Sequence, residues 1–294
     1  MKVMDQKHGK CWTLYHADTM EAIRALPDRS VDYSVFSPPF ASLYSYSNSE
    51  RDIGNSKDYT TFWEHFNFLA PELHRIHAAG RLVSMHCMNL TSTKSRDGVI
   101  GLKDFRGDMV RAMESAGFIY HSEVCIWKDP VIAMQRTKSI GLLYKQLRKD
   151  SAMSRQGIPD YLVTFRKRDD NDKPITKTHT SFPVSRWQKY ASPVWMDINP
   201  SDTLQRKSAR DQKDEKHICL LQLEVIRRGI ELWTNPGDVV FDPFAGIGST
   251  GYVAVRTGRM FVGCELKPSY FKQGYLNLER AEKSLKTSPV YGDL

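Results

Sequence analysis

The stretch that decides the fold is Val239-Val240-Phe241-Asp242-Pro243-Phe244-Ala245-Gly246-Ile247-Gly248-Ser249-Thr250. Its apolar start predicts a short buried strand, its two glycines a tight turn, and Ser249 the beginning of a helix. At such a strand-to-helix turn, glycines let a ligand approach the backbone at the carboxyl edge of a parallel sheet. The stretch therefore predicts a ligand site on an α/β sheet.

Strands and helices alternate along most of the chain on both sides of this loop. The predicted strands cover 12–16, 31–36, 81–86, 119–127, 161–165, 239–241 and 260–264. The predicted helices cover 19–26, 59–76, 105–116, 218–233, 249–256 and 269–285, with Gly80 as the terminator after the second. Such alternation is typical of a parallel, doubly wound sheet. The proline-rich stretch 169–215 shows no sustained period and is predicted to be irregular.

A second loop, Ser37-Pro38-Pro39-Phe40, follows the predicted strand 31–36. Its prolines fix the backbone and carry no N–H donors, so the Ser37 hydroxyl and the Pro38 carbonyl can serve as hydrogen-bond acceptors. A plain proline turn at the end of a strand is the alternative. The presence of the glycine loop elsewhere in the chain favours an active-site loop.

An acidic side chain follows the glycine loop at the spacing expected of a nucleoside site. Glu265 ends the next predicted strand, where a carboxylate can accept hydrogen bonds from both ribose hydroxyls. An unrelated surface glutamate is the alternative. The loop itself differs from the dinucleotide fingerprint, because it has only Gly246 and Gly248, preceded by Pro243-Phe244.

Both loops together resemble a known family. Asp-Pro-Phe-Ala-Gly-x-Gly-Ser-Thr at 242–250 resembles the S-adenosylmethionine loop of the DNA amino-methyltransferases, and Ser37-Pro38-Pro39-Phe40 resembles their catalytic tetrapeptide. The order, with the tetrapeptide first, resembles their beta group. The resemblance implies a Rossmann-like S-adenosylmethionine-dependent methyltransferase, α/β in class, with a mostly parallel doubly wound sheet and a circularly permuted motif order.

The resemblance implies a binding site for the cofactor S-adenosylmethionine. Backbone around Phe244–Gly248 would meet its methionine part, Glu265 its ribose, and Asp18 its adenine amino group. The implied cofactor-binding residues are Asp18, Asp242, Phe244, Ala245, Gly246, Gly248, Ser249, Thr250 and Glu265.

The tetrapeptide is implied to activate an exocyclic amino group of a base. That nitrogen is a poor nucleophile because its lone pair is delocalised into the ring. Acceptors that hold both hydrogens, here the Ser37 hydroxyl and the Pro38 carbonyl, can bend the nitrogen towards tetrahedral geometry, while Phe40 stacks on the base. The implied catalytic residues are Ser37, Pro38, Pro39 and Phe40. The base must leave the duplex stack to reach them.

Positive charge is concentrated in one part of the chain. Residues 128–168 hold ten Lys or Arg against three Asp, and the net charge of the whole chain is +8. Such a patch attracts a polyanion, although a solvated helix would show the same composition. The DNA-binding residues predicted from this patch are Arg136, Lys138, Lys145, Arg148, Lys149 and Arg155.

The resemblance also suggests a division of the chain. The catalytic and cofactor-binding domain covers 1–128, 160–168 and 214–283, residues 129–159 and 169–213 form a target-recognition region, and 284–294 form a tail. The aromatic residues of that region, Trp187, Tyr190 and Trp195, either stack on bases or form a small core, and the core is favoured.

Several kinds of site are not indicated. Five cysteines lie far apart without a Cys-x-x-Cys pair, and no His/Cys/Asp cluster has metal-ligand spacing, so we expect neither disulfides nor a metal. His86 ends a predicted strand but is assigned no role, because a lone histidine is more often structural. The polar start and the lack of a long apolar run predict no membrane association and a cytoplasmic location.

The sequence leaves several functions open. A tetrapeptide that begins with Ser resembles the cytosine-N4 enzymes, so cytosine is favoured over the alternative of N6-adenine. Other readings are an enzyme that acts on glutamine, RNA or a small molecule, and a catalytically silent DNA-binding module. Double-stranded DNA is the expected partner, and the resemblance leaves open a restriction endonuclease partner or an orphan enzyme, and a homodimer.

Overall fold

The protein forms one large mixed sheet with helices on both faces, as described by a computed structural model for residues 3–39, 59–131, 144–153, 155–204 and 221–287. The strands in chain order are β1 Asp5–His8, β2 Trp12–His16, β3 Val31–Phe36, β4 His77–Cys87, β5 Leu90–Ser92, β6 Gly101–Lys103, β7 Phe118–Ile126, β8 Asp160–Lys167, β9 Val194–Trp195, β10 Val239–Asp242 and β11 Met260–Glu265. The helices are α1 Thr19–Ile23, α2 Tyr59–Ile76, α3 Lys94–Asp97, α4 Phe105–Ser115, α5 Tyr144–Leu147, α6 Val184–Tyr190, α7 Leu223–Trp233, α8 Ser249–Arg256 and α9 Pro268–Thr287.

The large sheet has the order β1-β2-β11-β10-β3-β4-β8-β7-β9. The five strands from β2 to β4 are mutually parallel, and β1 and β8 are antiparallel to their neighbours. The early strand β3 lies beside the late strand β10, so the sequence order is permuted relative to the spatial order. The predicted Rossmann-like, mostly parallel α/β fold is confirmed.

Apolar helix faces cover the sheet on both sides, as a doubly wound fold requires. On one face α2 buries Phe62, Leu69 and Leu73 together with residues of α4. On the other face α7 buries Val225 and Ile230 together with residues of α8 and α9. Because each such side chain contributes about 1.5–3 kcal/mol when fully buried, these two layers fix the sheet between them.

A buried arginine aligns the two central strands at the amino edge of the sheet. The Arg81 guanidinium on β4 lies 3.2 Å from Asp32 on β3 and 2.9 Å from Asp238, just before β10. Asp32 also accepts a hydrogen bond from the Val239 N–H at 2.8 Å. Since a buried charge is stable only when it is paired, these contacts fix β3 beside β10.

Two predictions about local structure were wrong. Gly80 does not end a helix, because α2 ends at Ile76 and Gly80 lies inside β4 with a φ of 68°, next to a register irregularity with β3. An added Cβ there would lie 2.8 Å from Asn171, so glycine is required both by the positive φ and by the close approach of Asn171. The segment 169–204 is not wholly irregular, because it contains α6 and β9, which are too short to show a period.

Candidate active site

The two predicted loops lie side by side at the carboxyl edge of the sheet. β3 and β10 pair in parallel, with Tyr33 opposite Val240, so the chain leaves both strands at the same edge. The rings of Phe36 and Phe244, one from each side, lie 5.8 Å apart. From this pair the chain winds through α2 to β4 in one direction and through α8 to β11 in the other. This is the topological switch point, where open α/β sheets bind their ligands.

The glycine loop holds a shape that only glycine adopts without strain. Gly246 and Gly248 have φ angles of 55° and 82°. At Gly248 an added Cβ would lie 3.2 Å from the Gly274 carbonyl oxygen, so the loop packs directly on α9. At Gly246 an added Cβ would meet, among the described residues, no atom closer than 3.9 Å. The loop is therefore closely packed at Gly248 and open towards a ligand at Gly246.

Glu265, at the end of β11, holds this loop through the backbone. Its Oε2 accepts a hydrogen bond from the Gly246 N–H at 2.8 Å, and its Oε1 accepts one from the Lys267 N–H at 2.7 Å. Glu265 thus lies at the glycine loop, where the sequence placed it.

Asp18 lies between β2 and α1, at the next strand end. Its Oδ1 accepts a hydrogen bond from the Met20 N–H at 2.9 Å and caps α1. The preceding Ala17 N–H donates to the Glu265 carbonyl at 3.2 Å. The fold therefore brings Asp18 and Glu265 to neighbouring positions at the carboxyl edge.

The remaining predicted cofactor residues support the loop from inside the protein. Asp242 is buried, and its Oδ1 accepts a hydrogen bond from the Phe244 N–H at 2.8 Å. Ala245 donates its N–H to the Cys264 carbonyl at 2.9 Å, and the Thr250 hydroxyl donates to the Val35 carbonyl at 3.0 Å. Ser249 Oγ is buried and has no hydrogen-bond partner within the described ranges.

Burial without a charged partner sets the protonation of Asp242. Removal from water raises the pKa of this carboxyl to about 7, and the hydrogen bond from the Phe244 N–H opposes that shift only in part. A fraction of the molecules therefore carries a neutral Asp242 at neutral pH.

The catalytic loop begins at the end of β3. Ser37 is half-buried, and Pro38 and Pro39 are buried, whereas Phe40 lies outside the described residues. The Ser37 Oγ lies 3.2 Å from His86 Nδ1 and 3.4 Å from the His86 carbonyl oxygen. The loop hydroxyl is thus held by the strand beside it.

Sequence reasoning missed the group behind Ser37. His86, which was assigned no role, projects its Nε2 to 3.0 Å from Asp160 Oδ2, and Lys128 binds the other Asp160 oxygen. His86 lies near the end of β4, Asp160 begins the antiparallel strand β8, and Lys128 follows β7, so the sheet collects all three at the carboxyl edge. The position of His86 at a strand end was the available signal.

Asp160 is as deeply buried as Asp242 but has charged partners. Burial raises the pKa of the Asp160 carboxyl, but its interactions with His86 and Lys128 together outweigh burial and hold this pKa below its ordinary value. Asp160 is therefore a carboxylate at neutral pH.

The predicted DNA-binding residues are only partly described. Arg136, Lys138 and the side chain of Lys145 lie outside the described residues. Arg148 and Lys149, after α5, are exposed, whereas Arg155 is half-buried and donates to the Gln156 carbonyl at 3.0 Å.

The aromatic residues of the predicted recognition region divide into two groups. Tyr190 and Trp195 are buried, as favoured, whereas Trp187 is 54% exposed. The buried Arg228 of α7 lies over the rings of Tyr190 and Trp195, at 5.1 and 4.8 Å from their centroids, and pairs with Asp197 at 2.7 Å. This cluster attaches residues 184–197 to α7.

The described residues contain neither a metal-binding cluster nor a membrane-spanning helix. Within the described ranges, no group of three or more His, Cys, Asp or Glu side chains is arranged to hold a metal ion. Across the same part of the chain, every helix is too short or too polar to span a membrane.

Comparison with known proteins places the chain in a family. The model of a family described as DNA methylase, of the N6/N4 type, matches residues 31–276. The DNA adenine methyltransferase YhdJ of Escherichia coli K12 is 25% identical over 288 residues, which cover 92% of this chain and 83% of YhdJ. TTHA0409 of Thermus thermophilus, a proposed DNA modification methylase solved with S-adenosyl-L-methionine, superposes with a TM-score of 0.67 at 22% identity, covering 91% of this chain and 93% of that protein. The cytosine-N4-specific PvuII DNA methyltransferase also gives a TM-score of 0.67, at 15% identity, covering 96% of this chain and 94% of its own. The chain belongs to the N6/N4 DNA methylase family, and it is an S-adenosylmethionine-dependent DNA amino-methyltransferase.

Proposed function

We propose that this protein is a site-specific methyltransferase that modifies the N4 amino group of a cytosine flipped out of double-stranded DNA. The observation that carries the proposal is the Ser37 hydroxyl at the end of β3, half-buried beside His86 and next to the glycine loop. Within the family, a tetrapeptide that begins with Ser resembles the cytosine-N4 enzymes. The shared fold with the cytosine-N4-specific PvuII enzyme is compatible with this choice.

The residues around the glycine loop fit S-adenosylmethionine. The open space at Gly246 leaves room for a ligand against the backbone. The Glu265 carboxylate lies at this loop and would accept hydrogen bonds from the ribose hydroxyls, and Asp18 at the next strand end would hold the adenine amino group. When bound, the cofactor supplies the methyl group, and the transfer leaves S-adenosylhomocysteine and one proton.

On the substrate side, the catalytic loop would hold the amino group. The Ser37 hydroxyl and the Pro38 carbonyl would each accept one amino hydrogen, and Phe40 would stack on the base. Buried Pro38 and Pro39 keep these acceptors in place before the base arrives. Rate enhancement would then come mainly from orientation, which contributes about 7–11 kcal/mol in well-oriented reactions.

DNA would approach from the basic segment of the chain. We assign its phosphate contacts to residues 128–168, in which Arg148 and Lys149 are exposed. Residues 129–159 and 169–213 would read the target sequence. A restriction endonuclease partner, an orphan enzyme and a homodimer stay predictions of the sequence.

The second candidate substrate is the N6 amino group of adenine. It is favoured by one observation, the similarity over nearly the whole chain to YhdJ, which is an adenine methyltransferase. Both bases present an exocyclic amino group to the same loop, so the two candidates share the site and differ in the walls of the base pocket.

Identification of the methylated nucleoside tests the proposal. Unmodified DNA is incubated with the protein and isotopically labelled S-adenosylmethionine, digested to nucleosides and analysed by mass spectrometry. N4-methylcytosine that disappears in Ser37→Ala and persists in His8→Gln, an exposed residue on the far edge strand β1, is the expected result. Label only in N6-methyladenine would replace cytosine with adenine as the substrate. Label that persists in Ser37→Ala would refute the assignment of the loop.

A further inference from the structure

We propose that Ser37, His86 and Asp160 form a relay that removes the proton released by the methylated amino group, with Lys128 holding Asp160. The proposal rests on the proposed function, in which Ser37 contacts that amino group. His86 acts through Ser37 and is a positioning residue that also accepts the proton.

The topology of the sheet builds this arrangement. β3, β4, β8 and β7 are consecutive in the sheet, and β8 is antiparallel to β4 and β7. The end of β4 therefore meets the beginning of β8, where Asp160 lies opposite Ile126 of β7. The result is a continuous polar line from the catalytic loop to Lys128, with 3.2 Å between Ser37 and His86 and 3.0 Å between His86 and Asp160.

Ionisation of Asp160 determines which imidazole nitrogen carries hydrogen. A buried carboxylate is stabilised by donors, and the group beside Asp160 Oδ2 is His86 Nε2, so the hydrogen belongs on Nε2. Nδ1 then presents a lone pair to Ser37. The Ser37 hydroxyl has one hydrogen and two acceptors within reach, and it donates to this Nδ1 lone pair at 3.2 Å in preference to the His86 carbonyl at 3.4 Å. It keeps its own lone pairs for the amino hydrogen of the base.

The contact of His86 Nε2 with Asp160 is short, but its direction departs from that of an ideal hydrogen bond. Nε2 is buried and satisfies no hydrogen-bond geometry among the described residues, although it lies 3.0 Å from the carboxylate. The Asp160 carboxylate would stabilise a protonated His86 ring more strongly than a neutral one, because the two groups would then carry opposite charges. Asp160 faces His86 directly, and Lys128 lies on the far side of that carboxylate.

The relay accounts for every proton. As the nitrogen gains its methyl group it becomes positively charged, and one N–H bond then breaks. That hydrogen passes to Ser37 Oγ while the Ser37 hydrogen passes to His86 Nδ1. The products are a neutral methylamino base, an intact Ser37 hydroxyl and a protonated His86 beside the Asp160 carboxylate. His86 then returns its proton to water, and no bond forms between Ser37 and the substrate.

A measurement on the ligand-free protein tests the hydrogen placement without any turnover. In protein with ¹⁵N-labelled histidine, NMR spectra that correlate ring nitrogens with ring hydrogens identify the tautomer of each ring, and His86→Gln identifies the His86 signals. Hydrogen on Nε2 in the wild type, and loss of that preference in Asp160→Asn, are expected. Hydrogen on Nδ1 in the wild type would overturn the relay.

The second test separates proton transfer from positioning. A glutamine at position 86 can still accept the Ser37 hydrogen but cannot carry a proton away. We expect His86→Gln to slow single-turnover methyl transfer by about 10²-fold, a typical contribution of general base catalysis. The wild-type rate should depend on pH, and His86→Gln should lose this dependence. Calorimetry should give unchanged affinity for S-adenosylmethionine, and His8→Gln should behave as the wild type.

The outcomes distinguish this proposal from the proposed function. If Ser37→Ala abolishes transfer while His86→Gln keeps the wild-type rate and pH profile, the relay is wrong and the site stands. If Ser37→Ala transfers the methyl group normally, the assignment of the loop fails and the relay fails with it.

Discussion

The two loops at the carboxyl ends of β3 and β10 are neighbours, but they are held in different ways. The glycine loop is fixed at its backbone N–H groups, where Gly246 donates to the Glu265 carboxylate and Phe244 to the Asp242 carboxyl. The catalytic loop is held by side chains, through the contact of Ser37 with His86 and the ion pairs behind it. One loop is shaped to receive a cofactor, whereas the other is connected to a set of titratable groups.

The contrast is sharpest in the two buried carboxyl groups. Asp242 supports the glycine loop with neutral partners, and burial raises its pKa to about 7. Asp160 supports the catalytic loop with His86 and Lys128, whose combined interactions with it outweigh burial and lower its pKa. Equal burial therefore accompanies pKa shifts in opposite directions, because the partners of Asp160 are basic and those of Asp242 are neutral. Variants of the two loops can test this division.

The largest expected effect is on the pH dependence of stability. The folded pKa of Asp242 is raised, so its stabilising contribution is complete below the ordinary carboxyl pKa and is lost as the pH rises through about 7. A shift of three pKa units corresponds to about 4 kcal/mol. Urea unfolding between pH 4 and pH 8 measures this effect. Over that range the free energy of unfolding should fall more in the wild type than in Asp242→Asn, and the difference between the two decreases should be about 4 kcal/mol.

Asp160 should behave in the opposite sense. Its folded pKa is lowered, so its contribution is present above the ordinary carboxyl pKa and is lost as the pH falls through the folded value. Asp160→Asn should therefore be less stable than the wild type at neutral pH and approach it in acid. The exposed Asp172→Asn is the control for both variants. The same pH slope in Asp242→Asn and in the wild type would mean that Asp242 is not held neutral.

The next effect concerns Glu265. Glu265→Ala leaves the Gly246 and Lys267 N–H groups without their acceptor and removes the proposed ribose contact. We expect the affinity for S-adenosylmethionine to fall about 10²-fold, which corresponds to about 2.7 kcal/mol. Calorimetry measures this affinity, and the control is Glu279→Ala, at a partly exposed position on α9. An affinity equal to the wild type would remove Glu265 from the cofactor site.

A smaller effect is expected at Gly248. Gly248→Ala would introduce a Cβ 3.2 Å from the Gly274 backbone at a φ of 82°, and so displace the loop. We expect about a tenfold loss of cofactor affinity, or about 1.4 kcal/mol. The matched control is Gly237→Ala, with a φ of 83° and open space around the added Cβ, which should bear similar strain without affecting binding. Equal affinities in the two variants would show that the packing at Gly248 does not shape the site.

The smallest effect is expected in the basic segment, where only the salt dependence of DNA binding is predicted to change. Replacing Arg148 and Lys149 with Gln should reduce the slope of log affinity against log salt by up to about 1.8, because each phosphate contact contributes about 0.9. The control is the double variant Lys272→Gln and Lys283→Gln, which removes the same charge at two exposed positions on α9. A slope that changes equally in both pairs would reflect net charge rather than a DNA contact.

Periodicity and motif order were sufficient to predict seven of the nine strands of the large sheet and the two loops, because each of these features lies within a contiguous stretch such as 31–40 or 239–250. The edge strands β1 and β9 were not predicted. Periodicity and motif order did not reveal why glycine is needed at position 80, because Asn171, which approaches it closely, is distant in the sequence. The sequence also did not predict the polar contacts that connect Ser37 to Lys128, because these residues come from four different strand ends. Ser37 and His86 alone are separated by 49 residues. Only the strand order brings them together.

The most direct test of the division between the loops measures cofactor affinity and single-turnover methyl transfer in the same two variants. Ser37→Ala should bind S-adenosylmethionine like the wild type and transfer its methyl group at least about 10²-fold more slowly, because only the substrate side is changed. Gly246→Val places a branched side chain in the open space of the glycine loop and should lose affinity, with transfer partly restored at saturating cofactor. Loss of affinity in Ser37→Ala, or unchanged affinity in Gly246→Val, would contradict the account.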